Sequence, residues 1–263
     1  MPLRNTSLDS GTGPSAHVPS PLLRQVITCF WSLPSVAKEG RILPDGSVKL
    51  IFRFSASGAE ASIVGVSSGA HAAHPLPNTD RLGVSFAPGE ASSLLGVAAW
   101  EYRDSTLPLA EVLGCSASEL VSCLARTKDT PGRLAVVERW LASRLDSKRS
   151  PRKSDPAVRG TVREILRAQG STRVRALSLE SGLSERQLER RFLERVGIRL
   201  KLYCRMVRAQ AALRAAQRLV GKPEWGLLAA SFGYSDQAHL IHDFTRLLGC
   251  TPGRIEMSDF YNL

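Results

Sequence analysis

The segment SGLSERQLERRFLERVGIRL, residues 181–200, is repeated in outline by FGYSDQAHLIHDFTRLLGCTP, residues 232–252. Both copies carry the same residue types at matching places, namely Gly182 and Gly233, Ser184 and Ser235, Leu188 and Leu240, Phe192 and Phe244, and Gly197 and Gly249. Each copy predicts a short turn followed by a helix with an apolar stripe on one side and polar side chains on the other. Two such units predict two helices that enter the groove of one DNA duplex.

Each copy meets the requirements of a helix-turn-helix. A small residue is needed where the two helices meet at a steep angle, and Gly182 and Gly233 are expected to supply it. The second helix needs an N-cap because its first turns face DNA, and Ser184 and Ser235 are the expected caps. In the first copy Ser184 and Gln187 have the spacing of a capping box.

The polar sides of the two predicted helices carry different residues. An arginine suits guanine, glutamine suits adenine, glutamate can accept from cytosine, and alanine can meet a thymine methyl group. The predicted DNA-binding residues are Ser184, Arg186, Gln187, Glu189 and Arg190 in the first copy, and Ser235, Gln237, Ala238, His239 and His242 in the second. Because the outward residues differ, each chain is expected to read an asymmetric site.

Positive charge is concentrated in the half of the chain that carries the repeat. From Pro151 onward there are 20 Lys and Arg residues against 11 Asp and Glu residues, whereas the first 150 residues have 15 against 13. A basic half joined to a nearly neutral one predicts a polyanionic partner for the basic half. Charge alone is equally consistent with a solvated basic surface, so this prediction depends on the repeat.

Residues from about 155 to 260 resemble the DNA-binding domain of the AraC-type (arabinose-regulator) transcription factors, and GYSDQAHLIHDFTRLLGCTPGRI (233–255) is close to that family's signature. The resemblance implies two helix-turn-helix units joined by a long helix, with recognition helices in successive turns of the major groove. It also implies a bacterial regulator that often contacts RNA polymerase. Carried over by position, the base-reading residues are Arg186, Glu189, Arg190, Gln237, Ala238, His239 and His242. Two positions depart from the family pattern: Leu200 stands where proline is common, and His242 stands where arginine is common.

The N-terminal half reads as a small sheet or barrel followed by helices. Alternating apolar residues predict strands over 47–54, 61–66 and 81–88, and helical spacing predicts helices over 109–125 and 131–145. The fold class expected for the whole chain is therefore α+β, with a β-rich first domain and an all-α second domain. The stretches 43–52 and 81–97 resemble, less specifically, a companion domain of these regulators. In the wider family such domains bind a small effector or dimerise.

Composition divides the chain into four parts. Residues 1–20 are rich in Ser, Pro and Gly and are expected to be a disordered lead-in. Residues 21–146 are expected to form a sensing or dimerisation domain, and 157–263 a DNA-binding domain that contains one long helix over 200–220. The segment between them, SKRSPRKSDP (147–156), has the composition of a solvated linker. Each domain is expected to bury its own core.

Several classes of function find no support in the sequence. There is no nucleophile elbow, zinc-protease motif or phosphate-binding loop, so we predict that the chain is not an enzyme and takes no cofactor. The five cysteines are dispersed without metal-ligand spacing, which predicts no metal site and a reducing, cytoplasmic location. No apolar run reaches the roughly 20 residues that a membrane helix needs.

Three isolated residue pairs have more than one interpretation. His71 and His74 could hold a metal, but a polar loop is the favoured interpretation. His239 and His242 could do the same, but their place in the repeat favours groove contact. Trp31 and Trp100 are interpreted as packing residues and not as a pair that stacks on a ligand.

These observations predict a sequence-specific transcription regulator that controls bacterial promoters. Its expected partner is double-stranded DNA, and the further candidates are RNA polymerase, a small-molecule effector and a second copy of the chain. The alternative is a small-molecule-binding or protein-interaction module that does not recognise specific DNA.

Overall fold

The computed structural model describes residues 15–35, 39–74, 76–146, 153–219, 221–254 and 260–261. A β-rich half comes first and a helical half second, so the predicted α+β class is confirmed. No helix within these described ranges is long and apolar enough to cross a membrane.

Two sheets form the first half. The strands are β1 (Ser15–His17), β2 (Ile27–Leu33), β3 (Gly40–Ile42), β4 (Lys49–Ser55), β5 (Gly58–Val64), β6 (His71–Ala73), β7 (Asp80–Phe86), β8 (Thr106–Pro108) and β9 (Phe260–Tyr261). The larger sheet is antiparallel with the order β1-β2-β7-β4-β5-β8. The smaller sheet has the order β6-β3-β9, and β9 runs parallel to β3.

The alternation in the sequence sets the core face of the larger sheet. Leu50 and Phe52 of β4 and Leu82, Val84 and Phe86 of β7 are each at most 2% exposed, and they pack beneath the helices. The sequence does not single out β2 as a strand. In β2, Phe30 is buried in the main core and the adjacent Trp31 is buried on the opposite face. Because both faces carry apolar residues, the strand lacks the alternation of apolar and polar residues that marks β4 and β7.

Helices of the first half cover one face of the larger sheet. They are α1 (Ala91–Leu95), α2 (Leu109–Leu113), α3 (Cys115–Arg126) and α4 (Thr130–Asp146). The helix predicted over 109–125 is divided at Gly114, whose φ of +56° lies in the left-handed region that glycine favours. Trp100 lies in the 3-10 turn Ala99–Tyr102 and is 54% exposed, so its predicted packing role is wrong, whereas Trp31 is buried as predicted.

The second half is helical, as predicted. Its helices are α5 (Pro156–Arg167), α6 (Val174–Ser181), α7 (Glu185–Val196), α8 (Leu200–Arg218), α9 (Trp225–Ser231) and α10 (Gln237–Asp243). A π-helical turn (Phe244–Leu248) extends α10, and a short 3-10 turn begins at Pro252. The four predicted anchors Leu188, Phe192, Leu240 and Phe244 have no exposed surface, which places the apolar stripes of both copies in one core.

The two halves share that core, contrary to the expectation of two independent ones. Leu43 and Val66 of the first half are buried within the core of the second half. Leu43 lies between β3 and β4 and Val66 follows β5, so both residues can reach the helices without disturbing strand pairing.

The predicted domain boundaries need two corrections. Ser15–His17 form the edge strand β1, so the disordered lead-in predicted for 1–20 is wrong for these residues, while residues 1–14 lie outside the described ranges. Phe260–Tyr261 pair with β3 of the first half although they were assigned to the second. Most of the predicted linker, residues 147–152, also lies outside the described residues. Its last part holds Asp155, which caps α5 by accepting from the backbone N–H groups of Ala157 and Val158.

Candidate nucleic-acid interface

The two helix pairs, α6 with α7 and α9 with α10, turn in the same way. Gly182 and Gly233 have φ values of +67° and +71°, and a Cβ built on either would meet nothing within 4 Å. Glycine is therefore favoured by backbone conformation and not by lack of space. In both turns the next residue donates its backbone N–H to the carbonyl five residues earlier, Leu183 to Ser178 at 3.3 Å and Tyr234 to Ala229 at 2.9 Å.

The helix α7, which carries the first set of predicted DNA-binding residues, begins with the predicted capping box. Ser184 Oγ accepts from the backbone N–H of Gln187 at 3.3 Å, and Gln187 Oε1 accepts from the backbone N–H of Ser184 at 3.1 Å. The cap satisfies N–H groups that the first turn of a helix otherwise leaves unpaired. The amide oxygen of Gln187 is thus used within the protein.

The helix α10, which carries the second set of predicted DNA-binding residues, has a different N-cap from the predicted one. The N-cap is Asp236, whose Oδ1 accepts from the backbone N–H of His239 at 2.7 Å, so the prediction of Ser235 as the cap is wrong. Ser235 instead donates from its hydroxyl to Asp236 Oδ2 at 3.0 Å. The hydrogen bond from His239 is the main cause of a lowered pKa of the Asp236 carboxyl.

A one-residue insertion in the second turn explains this difference. Ser184 and Asp236 are 52 positions apart, as are the anchors Leu188 and Leu240, whereas the turn glycines are 51 apart. The helices therefore align residue by residue, and the extra residue of the second copy lies in the turn. On this alignment Arg186 corresponds to Ala238, and Arg190 corresponds to His242.

The structure leaves most of the predicted DNA-binding side chains exposed. The exposed ones are Ser184, Arg186, Gln187, Arg190, Ser235, Gln237, Ala238 and His242. Glu189 and His239 are half-buried. The His239 ring packs edge-on against Tyr234 with 5.2 Å between ring centroids, and its Nδ1 lies 3.2 Å from Ser235 Oγ. His239 is therefore held in place, while its neighbours along α10 extend into solvent.

A buried ion pair that the sequence analysis missed joins α10 to α8. Arg205 Nη2 and Nε lie 2.6 Å and 3.1 Å from Asp243 Oδ1, and the Asp243 side chain has no exposed surface. A charge buried this deeply requires such a partner. The signal available in the sequence was an acidic residue directly before the buried anchor Phe244.

A second arginine of α8 holds the turn of the same pair. Arg208 Nη1 donates to the backbone carbonyl of Gly233 at 3.1 Å, and its guanidinium lies 4.8 Å from the centroid of the Tyr234 ring. Cations over aromatic faces are attracted by the ring quadrupole. Two polar contacts from α8 thus determine where α10 begins and how it is oriented.

The first pair contacts α8 through aromatic packing. The rings of Phe192 and Tyr203 are 5.5 Å apart at their centroids, and Tyr203 is fully buried, which raises the pKa of its hydroxyl. Tyr203 and Arg205 are two residues apart, or about 200° around a helix of 3.6 residues per turn. The helices α7 and α10 therefore lie on roughly opposite sides of α8, which acts as one rigid support for both.

The C-terminal ends of α7 and of the π-helical turn after α10 meet the first half of the chain. A Cβ on Gly197, at the end of α7, would clash with Val66 and the carbonyl oxygen of Ala99. At the end of the π-helical turn, Arg41 Nη1 donates to the carbonyl of Gly249 at 2.5 Å. The first half is thus positioned to influence both helices.

The described residues contain no group of three or more His, Cys, Asp or Glu side chains that could hold a metal ion. His74 Nδ1 lies 3.9 Å from Glu39 Oε1, with both side chains mostly exposed. His242 Nδ1 lies 3.8 Å from Asp243 Oδ1, whose position is determined by Arg205. Cys29, Cys115, Cys123 and Cys204 form no disulfide.

Comparison with known proteins matches both halves of the chain to domain families. Residues 177–257 match a helix-turn-helix domain, and residues 15–108 match a domain of unknown function, DUF6597. A comparison with characterised proteins gives no match. The helix-turn-helix match spans all of α7 to α10 and the last five of the eight residues of α6, and it supports DNA binding by this half.

Solved structures that are similar to the chain include those of two proteins, AraT and ToxT. The C-terminal domain of AraT, a response regulator from Geobacillus stearothermophilus, has 20% sequence identity and a TM-score of 0.35, and the match covers 38% of this chain and 83% of that one. ToxT from Vibrio cholerae has 10% identity and a TM-score of 0.42, with 85% and 96% of the two chains covered.

Proposed function

We propose that this chain, a DNA-binding transcription regulator with an AraC-type helix-turn-helix domain at residues 177–257, reads one asymmetric site through two recognition helices, α7 and α10. The observation that carries the proposal is the pair of equivalent turns whose following helices expose different side chains. Two helix pairs with the same apolar anchors but different outward residues are expected to read two different half-sites in one duplex.

The roles of the predicted residues follow from their exposure and chemistry. Arg186 and Arg190 extend from α7 and suit guanine, while Gln237 and Ala238 at the start of α10 suit adenine and a thymine methyl group. Ser184, Ser235 and the N-termini of both helices lie where backbone phosphates would be bound. His239, which is held by Tyr234, offers a pre-oriented ring, and His242 offers an exposed one.

The geometry limits two of the candidate roles. Glu189 is half-buried, so only its carboxylate end is available to accept from cytosine. The Gln187 oxygen is used in the cap, which leaves its amide nitrogen for a phosphate. Contacts with RNA polymerase and self-association remain predictions, as does a cytoplasmic location.

Selection of bound duplexes from a random pool by the full-length protein tests the proposal. The expected result is a recurring, non-palindromic motif with two parts, and Arg190→Ala is expected to relax one part while Gln237→Ala relaxes the other. Binding that is salt-sensitive but yields no recurring motif would contradict sequence recognition and favour an interaction module.

A further inference from the structure

Residues 66–70, in the connection from β5 to β6, contact the C-terminal ends of both helices that carry predicted DNA-binding residues, and we call them the bridge segment. Val66 lies against the C-cap of α7, where a Cβ on Gly197 would come within 2.6 Å of Val66 Cγ1. Four residues later, the backbone N–H of Ala70 donates to the carbonyl of Leu247, in the π-helical turn after α10, at 2.7 Å.

The bridge segment is short and is held by the rest of the first half. Four residue steps separate Val66 from Ala70, so their Cα atoms lie at most about 14 Å apart. The backbone N–H of Asp104 donates to the carbonyl of Val66 at 3.0 Å, and Asp104 Oδ1 accepts from the backbone N–H of Ser68 at 2.7 Å. Asp104, in the turn before β8, therefore fixes two points of the bridge segment.

The contacts at both ends of the bridge segment are close. Val66 has no exposed surface and belongs to the core of the second half. At the other end, Ala70 donates to the Leu247 carbonyl and Arg41 donates to the Gly249 carbonyl. The last carbonyls of a helix lack partners within the helix, so these two donors satisfy groups that α10 and its π-helical turn leave unpaired.

Each recognition helix thus has two separate supports. The helix α7 contacts α8 at Phe192 and the bridge segment at Gly197, whereas α10 with its π-helical turn contacts α8 at Asp243 and the bridge segment at Leu247. The two supports lie about 7.5 Å apart along α7 and about 6 Å apart along α10 at 1.5 Å per residue. A helix attached at one point can pivot about it, whereas two attachments fix its direction.

We propose that the bridge segment sets the distance between the two parts of the DNA site, and that Asp104 is a positioning residue that acts through it. This role rests on the proposed function, in which α7 and α10 read one duplex. One added base pair between the two parts moves one of them by about 3.4 Å and turns it by about 35° around the duplex. Two helices that are fixed in direction and separation cannot follow this displacement.

A series of duplexes tests the proposal with the full-length protein. Each duplex carries both parts of the motif selected from the random pool, at the selected distance or with one or two base pairs added or removed. The unchanged protein is expected to bind every altered spacing at least about tenfold more weakly than the selected one. This preference among spacings is the diagnostic quantity, because a contact that only stabilises the fold affects all duplexes by the same factor.

Lengthening the bridge segment is expected to remove the preference. A two-glycine insertion between Ser68 and Gly69 leaves both end contacts possible but lets their separation vary. The preference for the selected spacing is expected to fall below about threefold, while the base preference within each part is unchanged. The same insertion between Ala56 and Ser57, in the exposed turn between β4 and β5, is the matched control and is expected to keep the tenfold preference.

Substitutions of Asp104 test the positioning role without changing the length of the chain. Its φ of +55° lies in the left-handed region, which glycine adopts freely and asparagine tolerates. Asp104→Gly removes the acceptor for Ser68 and is expected to lower the spacing preference at least about threefold. Asp104→Asn keeps an oxygen acceptor at this position and is expected to retain the preference. Thermal melting checks that both variants are folded.

Three results would overturn the proposal. The first is an insertion in the bridge segment that weakens binding to all spacings equally, since the segment would then only stabilise the fold. The second is a control insertion that lowers the preference as much as the bridge insertion does. The third is a selected motif whose two parts occur at varied distances, which would leave the proposed function intact. A selection that yields no recurring motif would instead contradict the proposed function, and the role of the bridge segment with it.

Discussion

The two helix pairs of the C-terminal half have the same turn and the same apolar anchors, yet they are attached to α8 in different ways. The α6–α7 pair rests on aromatic packing between Phe192 and Tyr203. The α9–α10 pair is attached through the buried Arg205–Asp243 ion pair and through Arg208. The comparison shows that the repeat preserves the positions that shape a helix pair, while polar contacts outside the repeat determine how each pair is oriented.

The largest expected effect tests the ion pair. Arg205→Met leaves the fully buried Asp243 without its partner and is expected to lower the free energy of unfolding by about 3–5 kcal/mol, measured by urea denaturation. The residue of α7 that corresponds to Asp243 is Arg191, whose Nη1 lies 3.6 Å from Asp155 Oδ2 and whose side chain is 42% exposed. Arg191→Met is expected to cost at most about 1 kcal/mol.

A double variant serves as the control for this prediction. Arg205→Met combined with Asp243→Leu removes both charges and is expected to recover most of the lost stability. If the double variant is as unstable as Arg205→Met alone, packing by the arginine stem matters more than the buried charge, and the contrast between the pairs is smaller than proposed.

The next effect concerns DNA recognition by equivalent residues of the two helices. Arg190→Ala is expected to weaken specific binding by about 1–3 kcal/mol, because a bidentate contact to a base is lost. His242→Ala, at the matching position of α10, is expected to cost about 0.5–1.5 kcal/mol, the range for one ordinary hydrogen bond. Titrations against the selected duplex and a random duplex at two salt concentrations measure both. Equal losses on both duplexes would mean that these residues contact phosphates only.

The turn glycines are expected to behave alike. Gly182→Ala and Gly233→Ala each place a side chain at positive φ with free space around it, so each is expected to cost about 1–2 kcal/mol of stability. Gly160→Ala in α5 is the matched control, since its surroundings are also open but its φ is not positive, and it is expected to stabilise by about 0.5–1 kcal/mol. Costs that differ widely between the two turns would contradict their equivalence.

The smallest effect separates the two caps. Ser184→Ala is expected to lower the stability by about 1 kcal/mol, because α7 loses its capping box. Ser235→Ala is expected to change stability by less than about 0.5 kcal/mol, because Asp236 caps α10. Thermal unfolding of both variants measures the difference, and a loss at Ser235 as large as that at Ser184 would show that the hydroxyl supports the Asp236 cap.

The local features of the second half were predictable from the sequence. Glycine at positive φ, a Ser–Gln capping box and apolar residues at helical spacing each act over a few neighbouring residues, so Gly182, Ser184 and Leu188 carried enough information. The position of the second cap was not predictable from residue type, because Ser235 and Asp236 are both good caps. The register of the anchors Leu240 and Phe244 in the core decides between them.

The sequence predicted which side chains of the candidate site are exposed, but not the contacts that hold the site in place. The exposed side chains of α7 and α10 follow from the helical period, and whether they contact DNA remains a prediction. The sequence did not predict that His239 would be held by Tyr234, or that Arg205 would pair with Asp243 across 38 positions. Contacts between distant residues leave no periodic signal.

By itself the sequence determined the identity of the helix pairs, the strands with clear alternation and the location of the positive charge, since each depends on short-range spacing or on composition. The tertiary structure alone decided that the two halves share a core and that Asp236 caps α10. These features depend on which distant surfaces meet, and that is determined by packing of the whole chain.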